Sequence, residues 1–120
     1  MKGRLKRVLF VEDESSLSSA YRRFFEGKLD MAFAASGEEA LRQVESFEPA
    51  LLVLDMRLPD TDGVEVLRRI RIRQPDLPVI ITTAYASMQP LMEVMGIAHS
   101  GFLVKPFELA ELAKLISAAP

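Results

Sequence analysis

The sequence predicts an α/β protein: a doubly wound parallel sheet of five strands, each followed by a helix. Three observations predict it. First, the short runs Val8–Val11, Ala50–Leu54 and Val79–Thr83 are nearly continuous in apolar or β-branched residues, the pattern of strands buried on both faces. Second, apolar residues between these runs recur at helical spacing. Third, strict alternation of the two patterns within 120 residues implies one parallel sheet with right-handed crossovers and helices on both sides.

In chain order, the first strand is Val8-Leu-Phe-Val11. The helix after it places Leu17, Tyr21, Phe24 and Phe25 on one face, with Ser15 or Ser16 as N-cap. Met31–Ala35 is a weaker second strand. Ala40, Leu41, Val44 and Phe47 mark the second helix, and Ser36-Gly-Glu-Glu39 has capping-box spacing. Ala50–Leu54 is the third strand, and Val64, Leu67 and Ile70 mark the third helix. The fourth strand is Val79–Thr83. Met88, Leu91, Met92 and Met95 mark a fourth helix, with Pro90 tolerable only near its start. Phe102–Val104 is the fifth strand, and Leu109, Leu112, Ala113 and Ile116 mark the fifth helix. No repeat, low-complexity tract or linker interrupts the pattern, so residues 1–120 are read as one domain.

Composition excludes several classes of function. Fifteen Lys and Arg against seventeen Asp and Glu give a net charge of −2, so no global basic field draws the chain to nucleic acid or anionic membrane. The five helices are already used to cover the sheet, which argues against direct nucleic-acid binding by these residues. The absence of cysteine excludes disulfides, thiolate metal sites and thiol nucleophiles, and it fits a reducing compartment. Apolar runs stop at five residues, against the roughly 20 of a membrane span. The basic N-terminal residues lead into no secretory h-region. The expectation is a soluble, cytoplasmic domain with no membrane partner.

In sheets of this kind ligands bind beyond the carboxyl ends of the strands. Glu12-Asp13-Glu14 ends the first strand, Asp55 the third, Thr83-Ala84 the fourth and Lys105-Pro106 the fifth. The fold would bring carboxylates, a hydroxyl and an ammonium into one shallow pocket. Such a set suits a hard divalent cation and a phosphoryl group. Without a cation the crowded carboxylates repel, and at least one pKa should rise. With a cation they stay ionised, and Asp55 could attack phosphorus to give an acyl phosphate.

Four segments carry a resemblance: Val-Leu-Phe-Val-Glu-Asp-Glu (8–14), Asp-Met-Arg-Leu-Pro-Asp-Thr-Asp-Gly (55–63), Ile-Thr-Thr-Ala-Tyr-Ala-Ser (81–87) and Phe-Leu-Val-Lys-Pro-Phe (102–107). In order and spacing the chain resembles the receiver domain of two-component response regulators over essentially its whole length. The Tyr-Ala-Ser after Thr83-Ala84 is most similar to receivers of enhancer-binding transcriptional activators.

The resemblance implies a flavodoxin-like (βα)5 receiver fold with strand order 2-1-3-4-5. It implies that Asp55 accepts a phosphoryl group from a phosphohistidine on a sensor histidine kinase or histidine phosphotransfer protein. Glu12 and Asp13 correspond to the acidic pair that holds Mg²⁺ (Mn²⁺ as substitute), Asp13 directly and Glu12 largely through water. Asp55 and the backbone carbonyl of Arg57 correspond to further ligands. Thr83 and Lys105 match the hydroxyl and ammonium that engage the phosphoryl group, and Met56 and Ala84 its backbone contacts. Thr83 and Phe102 match the switch pair, and Lys105-Pro106 the cis peptide. Output, to an effector domain, a downstream protein or a second copy of the chain, would use the fourth helix, fifth strand and fifth helix. The domain would catalyse its own phosphorylation and dephosphorylation without being an enzyme. Arg57 and Tyr85, two residues past Asp55 and Thr83, would tune the lifetime.

Other residues have plainer readings. Asp60 and Asp62 read as turn residues, with Gly63 supplying a positive φ. His99 reads as a solvent-facing loop residue. Arg68, Arg69, Arg71 and Arg73 read as a solvated helix face. Ala98-His99 stands where most relatives have Gly-Ala, with Gly96 and Gly101 nearby, so the fourth helix is expected to end early or to be mobile. Phe102 lacks the hydroxyl of a tyrosine switch. An aspartyl-phosphate phosphatase is disfavoured because Arg57 stands where such enzymes carry a second carboxylate. A phosphorylation-independent interaction module is the alternative, and it would be expected to lack the acidic pair, the acceptor or the lysine. A Rossmann-type nucleotide binder would need a glycine-rich loop after the first strand.

Overall fold

A computed structural model of the chain describes residues 4–86 and 100–120. Among the described residues, each apolar run becomes a strand and each periodic stretch a helix. The elements are β1 (Arg7–Val11), α1 (Ser15–Phe25), β2 (Asp30–Ala34), α2 (Gly37–Phe47), β3 (Leu51–Asp55), α3 (Gly63–Arg73), β4 (Val79–Thr83), β5 (Gly101–Val104) and α4 (Leu109–Ala118). All strand pairs are parallel, in the expected order β2-β1-β3-β4-β5. The helix expected at Met88, Leu91, Met92 and Met95 lies outside the described residues, as do Pro90, Gly96, Ala98 and His99. The C-terminal helix, expected as the fifth, is therefore α4 here.

The doubly buried strands divide their side chains strictly between two cores. Leu9, Val11, Leu52, Leu54, Val79 and Ile81 face α2 and α3, where Val44, Val66, Leu67 and Ile70 cover them. Val8, Phe10, Leu51, Val53, Ile80 and Leu103 face α1 and α4, where Tyr21, Phe25, Leu112 and Ile116 cover them. Each fully buried aliphatic side chain contributes about 1.5–3 kcal/mol, so these two layers hold the fold together.

Several local expectations need correction. β3 runs one residue later than expected, which makes Asp55 the last strand residue and pairs it with Thr82. β2 begins at Asp30. Ser15 and Ser16 lie inside α1, whose N-cap is Glu14 without a side-chain cap. Ser36 does cap α2 by accepting from the Glu39 N–H at 3.1 Å. The reciprocal bond of the capping box lands one residue upstream, from the Ala35 N–H to Glu39 Oε1 at 2.7 Å. Of the four arginines, Arg69 pairs with Glu65, Arg73 pairs with Glu45 and Arg68 is exposed. Arg71 instead turns inward and donates to the Gln74 and Leu77 carbonyls, closing the end of α3.

Candidate functional site

Parallel strands place all their carboxyl ends at one edge of the sheet. There the turns after β1, β3, β4 and β5 enclose an open cleft of about 1020 Å³. Glu12, Asp13, Asp55, Met56, Arg57, Thr83, Ala84 and Lys105 all line it, with Leu58, Pro59, Val64 and Tyr85 supplying an apolar wall. Of the residues singled out in the sequence as site residues, Phe102 alone does not line it. Phe102 is half-buried and packs against the α2–α3 core.

Side-chain alternation builds the acidic floor. Glu12 follows Phe10 and Asp55 follows Val53 on the α1–α4 face, so both carboxylates start inside a core layer. Glu12 and Asp55 are only 3% and 4% exposed, whereas Asp13 is exposed. Oxygens of the three carboxylates all lie within 4.8 Å of one another. The Lys105 Nζ donates to Glu12 Oε1 at 2.9 Å and to Asp55 Oδ2 at 3.0 Å. Each inner carboxylate also takes one backbone donor: Glu12 Oε2 accepts from the Glu14 N–H at 3.1 Å, and Asp55 Oδ1 from the Arg57 N–H at 3.2 Å.

Burial pushes the Glu12 carboxyl above its ordinary range and the Asp55 charge adds to this; hydrogen bonds from Lys105 and Glu14 oppose both. Burial alone would lower Lys105, but its bonds to Glu12 and Asp55 outweigh that and hold the ammonium above its ordinary value. The rise expected for crowded carboxylates therefore appears at Glu12, with burial as its main cause. Three carboxylates against one ammonium leave the set short of positive charge. Its donors are oxygens in a cleft open to water, which fits a hard divalent cation.

The backbone around the site differs from expectation at two places. The Met56 N–H donates to the Thr82 carbonyl at 3.0 Å, continuing the ladder one step past Asp55, so it is spent on the sheet. The amide facing the carboxylate at this turn is that of Arg57. Gly63 does not have the expected positive φ; among the described glycines that belongs to Gly27, at 77°. Gly63 opens α3, and a Cβ there would lie 2.7 Å from both the Asp55 carbonyl oxygen and Met56 Cα. It is needed for close approach, directly behind Asp55. The cis peptide at Lys105-Pro106 is present as expected.

Thr83 is buried at the end of β4, and its Oγ1 accepts from the Tyr85 N–H at 3.2 Å. Tyr85 and Arg57 are exposed beside the cleft. The two turn aspartates are both helix caps. Asp62 caps α3 by accepting from the Glu65 N–H at 2.8 Å. Asp60 reaches across to α2 and accepts from the Gly37 and Glu38 N–H groups at 2.8 and 3.0 Å. Asp60 thereby ties the turn after Asp55 to a neighbouring helix, a tether missed in the sequence. The only local signal was a helix N-terminus at Gly37 with donors to spare.

Comparison with known proteins agrees with this geometry. Residues 8–117 match the family model for the response regulator receiver domain. The chain is 33% identical over 110 residues to the regulatory protein LuxO of Vibrio cholerae, an alignment covering 91% of this chain and 24% of LuxO. It thus spans about a quarter of that relative's length. The non-phosphorylated HemR receiver domain from Leptospira biflexa superposes with a TM-score of 0.85 at 30% identity, covering 95% of this chain and 93% of HemR. The response regulator TrrA from Thermotoga maritima, solved in complex with Mg²⁺–BeF, gives 0.85 at 28% identity, covering 97% and 100%. Among the described residues no helix is long and apolar enough to cross a membrane. Strand order, the convergence of four strand-end motifs and the matched span agree, and the chain belongs to the response regulator receiver domain family of two-component systems.

Proposed function

We propose that the chain is a phospho-accepting switch. Asp55 takes a phosphoryl group from the phosphohistidine of a sensor histidine kinase or a histidine phosphotransfer protein. The observation that carries this reading is the buried Asp55 carboxylate, held 3.0 Å from the Lys105 ammonium beside two further carboxylates. Mg²⁺, held by Asp13, Asp55, the Arg57 carbonyl and, through water, Glu12, would neutralise the charge gathered by carboxylates and phosphoryl oxygens; Mn²⁺ would substitute.

An Asp55 oxygen attacks phosphorus in line. The P–N bond to the imidazole breaks and its electron pair returns to the ring nitrogen. Lys105, already charged, follows the negative charge from the Asp55 carboxylate onto the phosphoryl oxygens. The Arg57 and Ala84 N–H groups lie on the two turns beside it and contribute neutral donors. Thr83 exchanges its bond from Tyr85 for one to the phosphoryl group, and Phe102 moves inward behind it. The change is read on a face made by β5, α4 and the helix expected at residues 88–95, where an effector domain, a downstream protein or a second copy docks. Water hydrolyses the acyl phosphate and resets the switch, with Arg57 and Tyr85 setting the rate. The domain thus acts on itself and has no external substrate to turn over.

Incubation with acetyl phosphate and Mg²⁺ tests the reading. Wild-type protein should gain one phosphoryl group on Asp55, whereas Asp55→Asn or removal of Mg²⁺ should abolish labelling. Labelling that survives Asp55→Asn, or wild-type protein inert to both acetyl phosphate and beryllofluoride, would sink it.

A further inference from the structure

Two hydroxyls lie beneath the acidic site with no assigned role. Tyr21 and Thr82 are each 1% exposed, and both hydroxyl oxygens are buried without a hydrogen-bond partner among the described residues. Native proteins pair such groups almost without exception, with protein or with internal water.

Their placement points at the carboxylates. Thr82 is the register partner of Asp55. It follows Ile80 on the α1–α4 face just as Asp55 follows Val53, so the two side chains stand side by side. Lys105 sits past the end of β5, yet its Nζ reaches Asp55 on β3 and Glu12 past β1. Its side chain must therefore cross the end of β4, above Thr82. Tyr21 approaches from the helix side. Its ring stacks on Phe10, centroids 4.8 Å apart, two residues before Glu12. α1 starts at the site edge, and helical side chains tilt towards their own N-terminus, so the Tyr21 ring leans back towards the carboxylates. Burial raises the Tyr21 hydroxyl above its ordinary value, and the charges of Glu12, Asp55 and Glu14 raise it further, which places the hydroxyl within their field.

We propose that Tyr21 and Thr82 form the floor of the acidic site and hold buried water there, hydrogen-bonded from beneath to Asp55 and Glu12. Among the described residues each oxygen of the Glu12 and Asp55 carboxylates has a single protein donor, from Lys105 or from a backbone N–H, and so retains lone pairs for such water. Bonded on its inner side, a carboxylate keeps one orientation towards the cleft. Tyr21 and Thr82 are then positioning residues rather than core filling.

The test combines a water-resolving crystal structure with acetyl phosphate labelling of three variants; only the labelling rests on the phospho-acceptor reading. Ordered water bonded to Tyr21 Oη or Thr82 Oγ1 and to Glu12 or Asp55 is the expected structural result. Thr82→Val keeps the shape and removes the hydroxyl, whereas Thr82→Ser keeps the hydroxyl and removes the methyl. Thr82→Val and Tyr21→Phe should each label about two- to tenfold more slowly, the weight of one hydrogen bond, while Thr82→Ser keeps the wild-type rate. The reverse order, Val at the wild-type rate and Ser slow, would show that packing is what matters and would overturn the proposal. So would a structure in which both hydroxyls bond only to protein. If wild-type protein does not label at all, the phospho-acceptor reading fails and the water positions alone decide this one.

Discussion

Gly63→Ala separates the geometry of the acceptor turn from the stability of the fold. An added Cβ would sit 2.5 Å from Met56 Cε, 2.7 Å from the Asp55 carbonyl oxygen and 2.7 Å from Met56 Cα. The Met56 methyl can swing away, but the other two atoms are backbone. Reaching an ordinary contact requires a retreat of about half an ångström or more between the start of α3 and the end of β3. That movement strains the Gly63 N–H to Met56 carbonyl bond, 2.8 Å, and the Met56 N–H to Thr82 bond, 3.0 Å. Overpacking of this kind costs about 1–3 kcal/mol. The better helix propensity of alanine returns roughly 0.5–1 kcal/mol. The expected net loss is about 1–2 kcal/mol in urea melts, with Asp55 displaced relative to Lys105 and Asp13. Gly27→Ala is the control: its φ of 77° strains alanine by roughly 1–2 kcal/mol, but a Cβ there meets nothing within 4 Å. Both variants should lose similar stability, and Gly63→Ala alone should slow acetyl phosphate labelling. Equal rates in the two variants, or a Gly63→Ala protein as stable and as reactive as wild type, would refute the steric reasoning.

Two further predictions concern the α1–α4 side. The Lys6 Nζ donates to the Ile116 and Ala119 carbonyls, both at 2.9 Å, and so closes the end of α4 against the start of β1. Lys6→Met should cost about 1–2 kcal/mol and speed amide exchange over residues 116–120 while leaving β3 protected; unchanged exchange there would dismiss the clamp. Tyr21 keeps its proton in the folded state above the ordinary value of 10.0, through burial first and then the nearby carboxylate charges. The unfolded chain releases that proton near pH 10, so stability is full below it and falls as pH rises beyond it, by about 1.4 kcal/mol per pH unit. Lys105, also held above its ordinary value, adds a fall of its own in the same range. Urea melts should therefore fall more steeply with pH in wild type than in Tyr21→Phe, by about 1.4 kcal/mol per pH unit, the weight of one proton; the same slope in both would rule it out.

The sequence made the sheet legible because doubly buried strands have no polar alternation to blur them, and Leu51–Asp55 and Val79–Thr83 are buried throughout. The site residues were legible because parallel strands force their ends together, so position in the chain translated directly into position in space. Contacts set by approach between elements were not legible. Gly63 looked like a turn residue because nothing local records that Met56 and Asp55 press against it. Asp60 looked like one too, because its partners lie 22 and 23 residues back, at Glu38 and Gly37. Met56 was assigned a phosphoryl contact because a one-residue extension of the ladder decides which amide is free. Thr82 passed for an ordinary β-branched strand residue, and only its register against Asp55 distinguishes it.

On the α1–α4 face the strands change character in a single step: Phe10 gives way to Glu12, Val53 to Asp55, Ile80 to Thr82 and Leu103 to Lys105. Stability alone would place apolar residues there, since burial already raises Glu12 above its ordinary range. The concentration also accounts for the charge of the whole chain. Fifteen Lys and Arg less Lys105, and seventeen Asp and Glu less Glu12, Asp13 and Asp55, leave fourteen of each. The net charge of −2 therefore equals that of the four site residues, and the remainder of the molecule is balanced. A divalent cation bound there would bring the formal charge to zero, and transfer of a phosphoryl group would drive it negative again at the same edge. Both changes would fall on a site whose formal charge the rest of the chain, in sum, neither adds to nor offsets.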